Sequence, residues 1–211
     1  EPVSTPQPSG ETADTAVPIG NTFDKYGSSN PLVRRMMSGF FAALDASLPT
    51  GRPDRVLEVG VGEGEVFDRV RERWPDVPYA AIDLPDDDLA AEWRGRDLPG
   101  GFADIARLPF PDDAFDLVLA IEVLEHVPDP PAALAELGRV ARADLVVSVP
   151  REPIWRAANM ARGKYLGALG NTPGHVNHWS SRAFTDLVGT RFEVSEVRRP
   201  FPWTVVTARC R

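Results

Sequence analysis

The sequence predicts a doubly wound α/β protein, a mostly parallel sheet with helices on both faces. Three observations carry that expectation. Short apolar runs of strand character alternate with segments whose apolar residues recur at helical spacing, the pattern of successive βα units. The first junction is Val56-Leu-Glu-Val-Gly-Val-Gly-Glu-Gly64, where a strand runs into three alternating glycines before a helix opens. The last two strand-like runs are joined only by Arg199-Pro-Phe-Pro202. A link that short suits a hairpin, so the last strand should be antiparallel.

Taken in order, residues 1 to about 20 are rich in Pro, Ser, Thr and Gly and hold almost no large apolar side chain. Such a stretch buries too little to offset its ordering entropy. Residues 1–20 are therefore expected to be a flexible tail, and 21–211 a single domain. Asn30-Pro31 supplies an N-cap followed by proline at the first helical position. Leu32, Val33, Met36, Met37, Phe40, Phe41, Leu44 and Leu48 follow at helical spacing, and Pro49-Thr-Gly51 closes the helix. Val56 to Val59 form the first strand, with Glu58 its only charge.

Beyond the glycines, 65–74 is expected to be a helix and 79–82 a strand with Asp83 at its tip. A short helix over 86–94 begins with Asp86-Asp-Asp88, acidic residues that the helix dipole favours at an N-terminus. Residues 101–104 should form a third strand, and the apolar run from Phe115 to Ile121 a fully buried fourth. Asp129-Pro-Pro131 caps a helix to about residue 142, and 145–149 is a fifth strand. Residues 150–179 are irregular apart from a helix over 153–162; Ser180 caps another helix, and 192–198 and 203–209 complete the sheet.

Composition bounds the function. At 211 residues, with 43% apolar and 26% charged residues, the chain can bury a sizeable core. A net charge of −8 argues against broad contact with a phosphate backbone, so nucleic acid is not an expected partner. The lone Cys210 excludes a disulfide framework and a cysteine metal site. No run approaches the roughly 18 apolar residues of a membrane span, and no signal-peptide pattern is found, so a cytoplasmic location is expected.

The glycine turn departs in one place from the dinucleotide fingerprint G-x-G-x-x-G, which is followed about 20 residues later by an acid. Its third glycine comes one residue early, while Asp83 stands where a carboxylate can accept from both hydroxyls of a ribose. Leu-Glu-Val-Gly-x-Gly-x-Gly resembles motif I of class I methyltransferases that use S-adenosylmethionine (SAM). The stretch Leu108-Pro-Phe-Pro-Asp-Asp-Ala-Phe-Asp116, with Ile121-Glu-Val-Leu-Glu-His-Val127 after it, is similar to the methyltransferase type 11 group, which includes ubiquinone-pathway O-methyltransferases. The likeness is close over 56–127 and holds elsewhere only in outline.

That resemblance implies a seven-stranded Rossmann-like sheet with ligands at the carboxyl ends of its strands. Gly60, Gly62 and Gly64 would then lie along the methionyl part of SAM, and Glu58 would meet its ammonium group. Asp83, with Leu84 beside it, would hold the ribose; Asp104 and Ile105 would meet the adenine; the backbone at Ile121 would line the sulfonium end. Any one of these acids alone could be a solvated loop carboxylate, but together they mark four successive strand ends. The resemblance also implies that the helix within 21–50 covers the pocket, with Phe23, Tyr26 and Asn30 as lid residues.

The three histidines lie in two places, His126 in Glu-Val-Leu-Glu-His, and His175 and His178 in Pro-Gly-His-Val-Asn-His-Trp-Ser. If a helical turn begins after the fourth strand, Glu122, Glu125 and His126 share one face, a plausible divalent-metal site. The Glu-x-x-Glu-His pattern resembles the Mg²⁺-binding set of small-RNA 2′-O-methyltransferases, which implies His175 as a fourth ligand. Two other readings stay open: a histidine as general base, since imidazole titrates near pH 6.5, or a histidine that only packs.

The expected activity is methyl transfer from SAM to a small organic acceptor, at a hydroxyl oxygen. The acceptor would sit between the first helix and the 150–179 insertion, where Trp155, Tyr165 and Trp179 offer apolar walls. An RNA acceptor, a SAM-binding module without catalysis and an NAD-type oxidoreductase are the rival readings. The early third glycine counts against the last. Either a monomer or a homodimer fits the sequence.

Overall fold

In the computed structural model, which describes residues 30–161, 163 and 165–211, each predicted element is present. The expected tail and Tyr26 lie outside those residues. Helix α1 (Pro31–Ser47) begins as anticipated: the Asn30 side chain accepts from the Leu32 N–H at 2.9 Å, and proline follows the cap. Its Val33, Met37, Phe40, Phe41 and Leu44 are buried along one stripe.

Then come β1 (Val56–Val59), α2 (Glu65–Arg73), β2 (Tyr79–Asp83), α3 (Asp87–Gly95), β3 (Gly100–Phe102) and β4 (Phe115–Ile121). A 3₁₀ turn at Leu124–His126 precedes α4 (Pro130–Val140), β5 (Ala141–Pro150) and α5 (Ile154–Ala161). The chain closes with α6 (Ser181–Gly189), β6 (Glu193–Arg198) and β7 (Trp203–Arg209).

The sheet has seven strands in the order β3-β2-β1-β4-β5-β7-β6. Strands β1 to β5 pair in parallel, and β7 runs antiparallel to both β5 and β6. The expected hairpin is thus present, but its second strand inserts between β5 and β6. Two boundaries moved. The helix expected to reach about residue 142 stops at Val140. Ala141, 1% exposed, is taken up by pairing with Phe115, so β5 starts earlier than its apolar run. Strand β3 is a short edge strand that ends before Asp104, which falls in the following turn.

The pleat sends alternate residues to opposite faces. Leu57, Val59, Val118, Ala120, Leu145 and Val147 meet α4 and α6 through Leu134, Leu137, Phe184 and Val188. Val56, Leu117, Leu119, Val146 and Val205 meet α1 and α2 through Phe40, Leu44, Val66 and Val70. A smaller cluster of Val61, Phe67, Ala81, Trp93 and Leu98 closes the α3 end. Burying each large aliphatic side chain here stabilises the fold by roughly 1.5–3 kcal/mol. Because both faces are covered, ligand access is left at the strand ends.

Candidate active site

The strand order reverses between β1 and β4: β2 and β3 extend one way, β4 and β5 the other. A crevice forms outside the carboxyl ends of the strands at such a point. The glycine turn sits there. Gly60 donates to the Ile82 carbonyl at 2.7 Å, and its φ of 76° lies in the left-handed region. A Cβ on Gly60 would overlap the Val123 side chain, so the β1 turn and the β4 tip touch only because no side chain intervenes. Gly62, at φ 50°, differs: a Cβ there would meet nothing within 4 Å. That open backbone edge is the surface a ligand can approach. Gly64 is the N-cap of α2, whose first N–H groups point back toward the turn.

Asp83 ties the turn to β2. Its Oδ2 accepts from the Gly62 N–H and its Oδ1 from the Leu84 N–H, both at 2.7 Å. Each oxygen keeps a second lone pair, enough to accept a pair of vicinal hydroxyls. Burial raises the Asp83 carboxyl above its ordinary value, with the two backbone bonds pulling the other way. Trp93 Nε1 donates to the Gly62 carbonyl at 2.8 Å, so α3 also braces the turn.

Glu58 is held inside the sheet. It is 2% exposed, and the Tyr79 hydroxyl donates to its carboxylate. Burial pushes the Glu58 carboxyl up to about 8; the Tyr79 bond opposes that rise, and Asp83 and Asp68 reinforce it.

Asp104 is exposed and caps its own turn, accepting from the Ala106 N–H at 2.8 Å, while Ile105 is buried beside it. The segment beyond is clamped by Arg139 of α4, which donates to the Phe110 carbonyl at 2.7 Å, the Leu108 carbonyl at 3.1 Å and Glu136 Oε1 at 2.6 Å. Glu136 in turn accepts from the Leu108 N–H at 2.8 Å. The hydrogen bonds from Arg139 hold the Glu136 carboxyl below its ordinary value.

At the β4 tip, Ile121 is 8% exposed and the next residue, Glu122, takes φ 60°. The helical turn starts only at Leu124. The shared face expected for Glu122, Glu125 and His126 therefore does not form. The left-handed backbone aims Glu122 across β5, where its carboxylate accepts from Ser148 Oγ at 3.2 Å and Trp203 Nε1 at 2.6 Å. Glu125, His126 and His175 do come together, with one ligating atom from each lying within 4.8 Å of the others.

The 170s loop reaches this turn through backbone bonds. Val176 and Asn177 donate to the Glu125 carbonyl, and Asn177 Nδ2 donates to the Leu124 and Val127 carbonyls. His126 Nδ1 stands 3.0 Å from the Gly174 carbonyl, and the His126 and His175 rings meet edge to face at 4.8 Å. His178 stands apart from the pair: it is exposed, with Nε2 2.6 Å from Asn171 Oδ1.

Trp155 stacks on His175 at 6.1 Å and packs against Trp203 at 5.6 Å, which in turn meets Phe40 of α1 at 4.8 Å. Trp179, by contrast, turns to Phe184 of α6. Trp155 and Trp203 are both buried in the core on the α1 side of the sheet, while Tyr165 is half-buried. Sequence reasoning missed the Tyr79, Trp93 and Trp203 contacts. All three are long-range pairs, and each residue read locally as an ordinary apolar member of a strand or helix.

A parallel sheet whose switch point carries an open glycine turn, an acid at the next strand tip and a capped acidic turn beyond it defines a class I SAM-dependent methyltransferase. The comparisons agree. The family described as "Methyltransferase domain" matches residues 33–191, and the chain belongs to it. It is 30% identical over 175 residues to a demethylmenaquinone methyltransferase of Roseiflexus sp. (strain RS-1), covering 74% of this chain and 70% of that one.

A 27-O-demethylrifamycin SV methyltransferase of Amycolatopsis mediterranei is 33% identical over 106 residues, which span 47% of this chain and only 39% of the relative. Among solved structures, a SAM-dependent methyltransferase from Thermotoga maritima, titled a possible histamine N-methyltransferase, superposes with a TM-score of 0.63 at 20% identity. It covers 85% of this chain and 92% of its own, a likeness of fold alone. No described helix is long and apolar enough to cross a membrane.

Proposed function

We propose that the enzyme transfers the methyl group to a hydroxyl oxygen of a small organic acceptor. The observation that carries this reading is the meeting of Glu125, His126 and His175 beside the β4 tip, with the His175 ring stacked on Trp155. Imidazoles and a carboxylate grouped in this way suit a weakly acidic hydroxyl compound, whose proton they can take up. SAM brings an activated methyl: its S–CH₃ bond breaks with the electron pair moving to sulfur as the O–CH₃ bond forms. The chain's own work is alignment, exclusion of water and removal of one proton.

The turn of Gly60, Gly62 and Gly64 runs along the methionyl part, with Gly62 its open position; Asp83 receives the ribose hydroxyls, and Asp104 with Ile105 borders the adenine. Leu84 frames the ribose side, and Ile121 lies under the sulfonium end. The Glu125, His126 and His175 group is placed to help the acceptor's proton leave, directly or by lowering its pKa. The relatives, a demethylmenaquinone methyltransferase and a 27-O-demethylrifamycin SV methyltransferase, support an organic acceptor. An RNA acceptor is disfavoured by the net charge of −8. The whole chain from residue 21 is read as one catalytic domain.

Incubation with SAM and a panel of phenols and aliphatic alcohols, with their methyl ethers as controls, tests the proposal. S-adenosylhomocysteine should appear with a free hydroxyl and not with the matched ether. Turnover only on amine acceptors would overturn the hydroxyl assignment. SAM binding with no turnover on any acceptor would favour a binding module.

A further inference from the structure

The resemblance noted above implies Mg²⁺ held by Glu122, Glu125, His126 and His175, and the structure does not fit that set. Glu122 stands outside the group that converges. Its carboxylate is engaged by the Trp203 indole at 2.6 Å and by Ser148 Oγ at 3.2 Å, both on strands across the sheet. What remains is one carboxylate and two imidazoles. Mg²⁺ favours about six oxygen ligands in a near-octahedral shell and dehydrates reluctantly. Two nitrogens and one carboxylate form a different kind of site.

We propose that Glu125, His126 and His175 hold a borderline transition-metal dication of the Zn²⁺ type, and that Glu122 is not a ligand. Two observations support this besides the clustering. His126 Nδ1 lies 3.0 Å from the Gly174 carbonyl, which can only accept, so Nδ1 carries the proton and Nε2 is the nitrogen that would ligate. A ring nitrogen bonded to a backbone carbonyl while the other faces the ion is the usual outer support of a metal-bound histidine.

His175, 7% exposed, is fixed by the Trp155 stack and by edge contact with His126, so its orientation is set by packing. Ligand atoms of one tetrahedral ion at Zn–N and Zn–O distances near 2 Å lie about 3.3 Å apart. The three ligand atoms lie within 4.8 Å of one another, so they would draw together by up to about 1.5 Å on binding. Three protein ligands leave a fourth position open, the arrangement of a catalytic rather than a structural zinc site. The inference rests on the hydroxyl-transfer reading and names the ion that would serve it.

The test is direct titration of the purified full chain, stripped with chelator, with Zn²⁺ and Mg²⁺ by calorimetry and with Co²⁺ by visible d–d absorption. Zn²⁺ and Co²⁺ should bind at one site at least about a hundredfold more tightly than Mg²⁺, following the order for nitrogen-containing sites. His175→Ala and the exposed His126→Ala should each remove the Co²⁺ spectrum, and Glu122→Gln should leave Zn²⁺ affinity within about threefold. Comparable Mg²⁺ affinity, loss of metal in Glu122→Gln, or no binding of any ion would overturn the proposal. SAM calorimetry on the same preparation separates the two readings. A chain that binds SAM but no metal removes only this inference, whereas a chain that binds metal but not SAM removes the methyltransferase assignment of the cleft.

Discussion

Replacing Glu58 with glutamine should flatten the dependence of stability on pH. In the native protein the carboxyl lies inside the sheet beside Tyr79, and burial pushes it from its ordinary 4.5 up to about 8. A folded-state pKa above the unfolded one means the native state holds the proton more tightly. The associated stability is fully present below about pH 4.5 and is lost as pH rises toward 8. Within that window each pH unit is worth about 1.4 kcal/mol per proton, so from about pH 5 to 7.5 the wild type should lose roughly 3 kcal/mol that Glu58→Gln does not.

Glutamine has nearly the same shape and still accepts from the Tyr79 hydroxyl, so packing changes little. Urea denaturation of both proteins across that range reads the difference, and every other titrating group cancels between them. Parallel stability curves would refute the reasoning, because they would mean the carboxyl is solvated or ionised by a partner in the native state.

Three further outcomes follow from the site. Asp83→Ala should weaken SAM binding by about 1.5–3 kcal/mol in calorimetry, the scale of hydrogen bonds to a charged group; an unchanged dissociation constant would remove the ribose assignment. Gly60→Ala should destabilise the fold by about 2–4 kcal/mol, since it strains a left-handed backbone and strikes Val123. Adding Val123→Ala should recover the steric part and leave the strain, which denaturation of the double variant can separate. Arg139→Met should cost about 2–3 kcal/mol and speed hydrogen exchange across residues 104–112, because the segment loses its clamp to α4.

Much of this protein was legible one residue at a time. Asn30-Pro31, Asp129-Pro-Pro131 and Ser180 name helix starts because capping is local chemistry. The seven residues of β4 read correctly because its apolar run, broken only by Asp116 near the start, suits a strand covered on both faces. Gly60, Gly62, Gly64 and Asp83 could be placed because turn and strand tip each obey short-range rules, and strand order then brings them side by side. Reading Glu122, Glu125 and His126 as one helical face failed for a local reason with a distant cause. Glu122 adopts φ 60°, and its carboxylate is engaged by a tryptophan 81 residues away.

The sequence by itself pointed to the class of chemistry through its resemblance to motif I and the type 11 group, because a glycine turn and a carboxylate at the next strand tip are encoded in short stretches. Only the tertiary structure decided which charged groups face the cleft, which are buried and how each is tuned. Glu58 and Glu122 look alike in one dimension, each an acid at the end of an apolar strand. Tyr79 from β2 engages the first inside the sheet, and Trp203, carried in by the antiparallel β7, draws the second across to the far strands. Whether a side chain ionises or ligates depends on the dielectric and the partners around it, and those are supplied by segments far away along the chain.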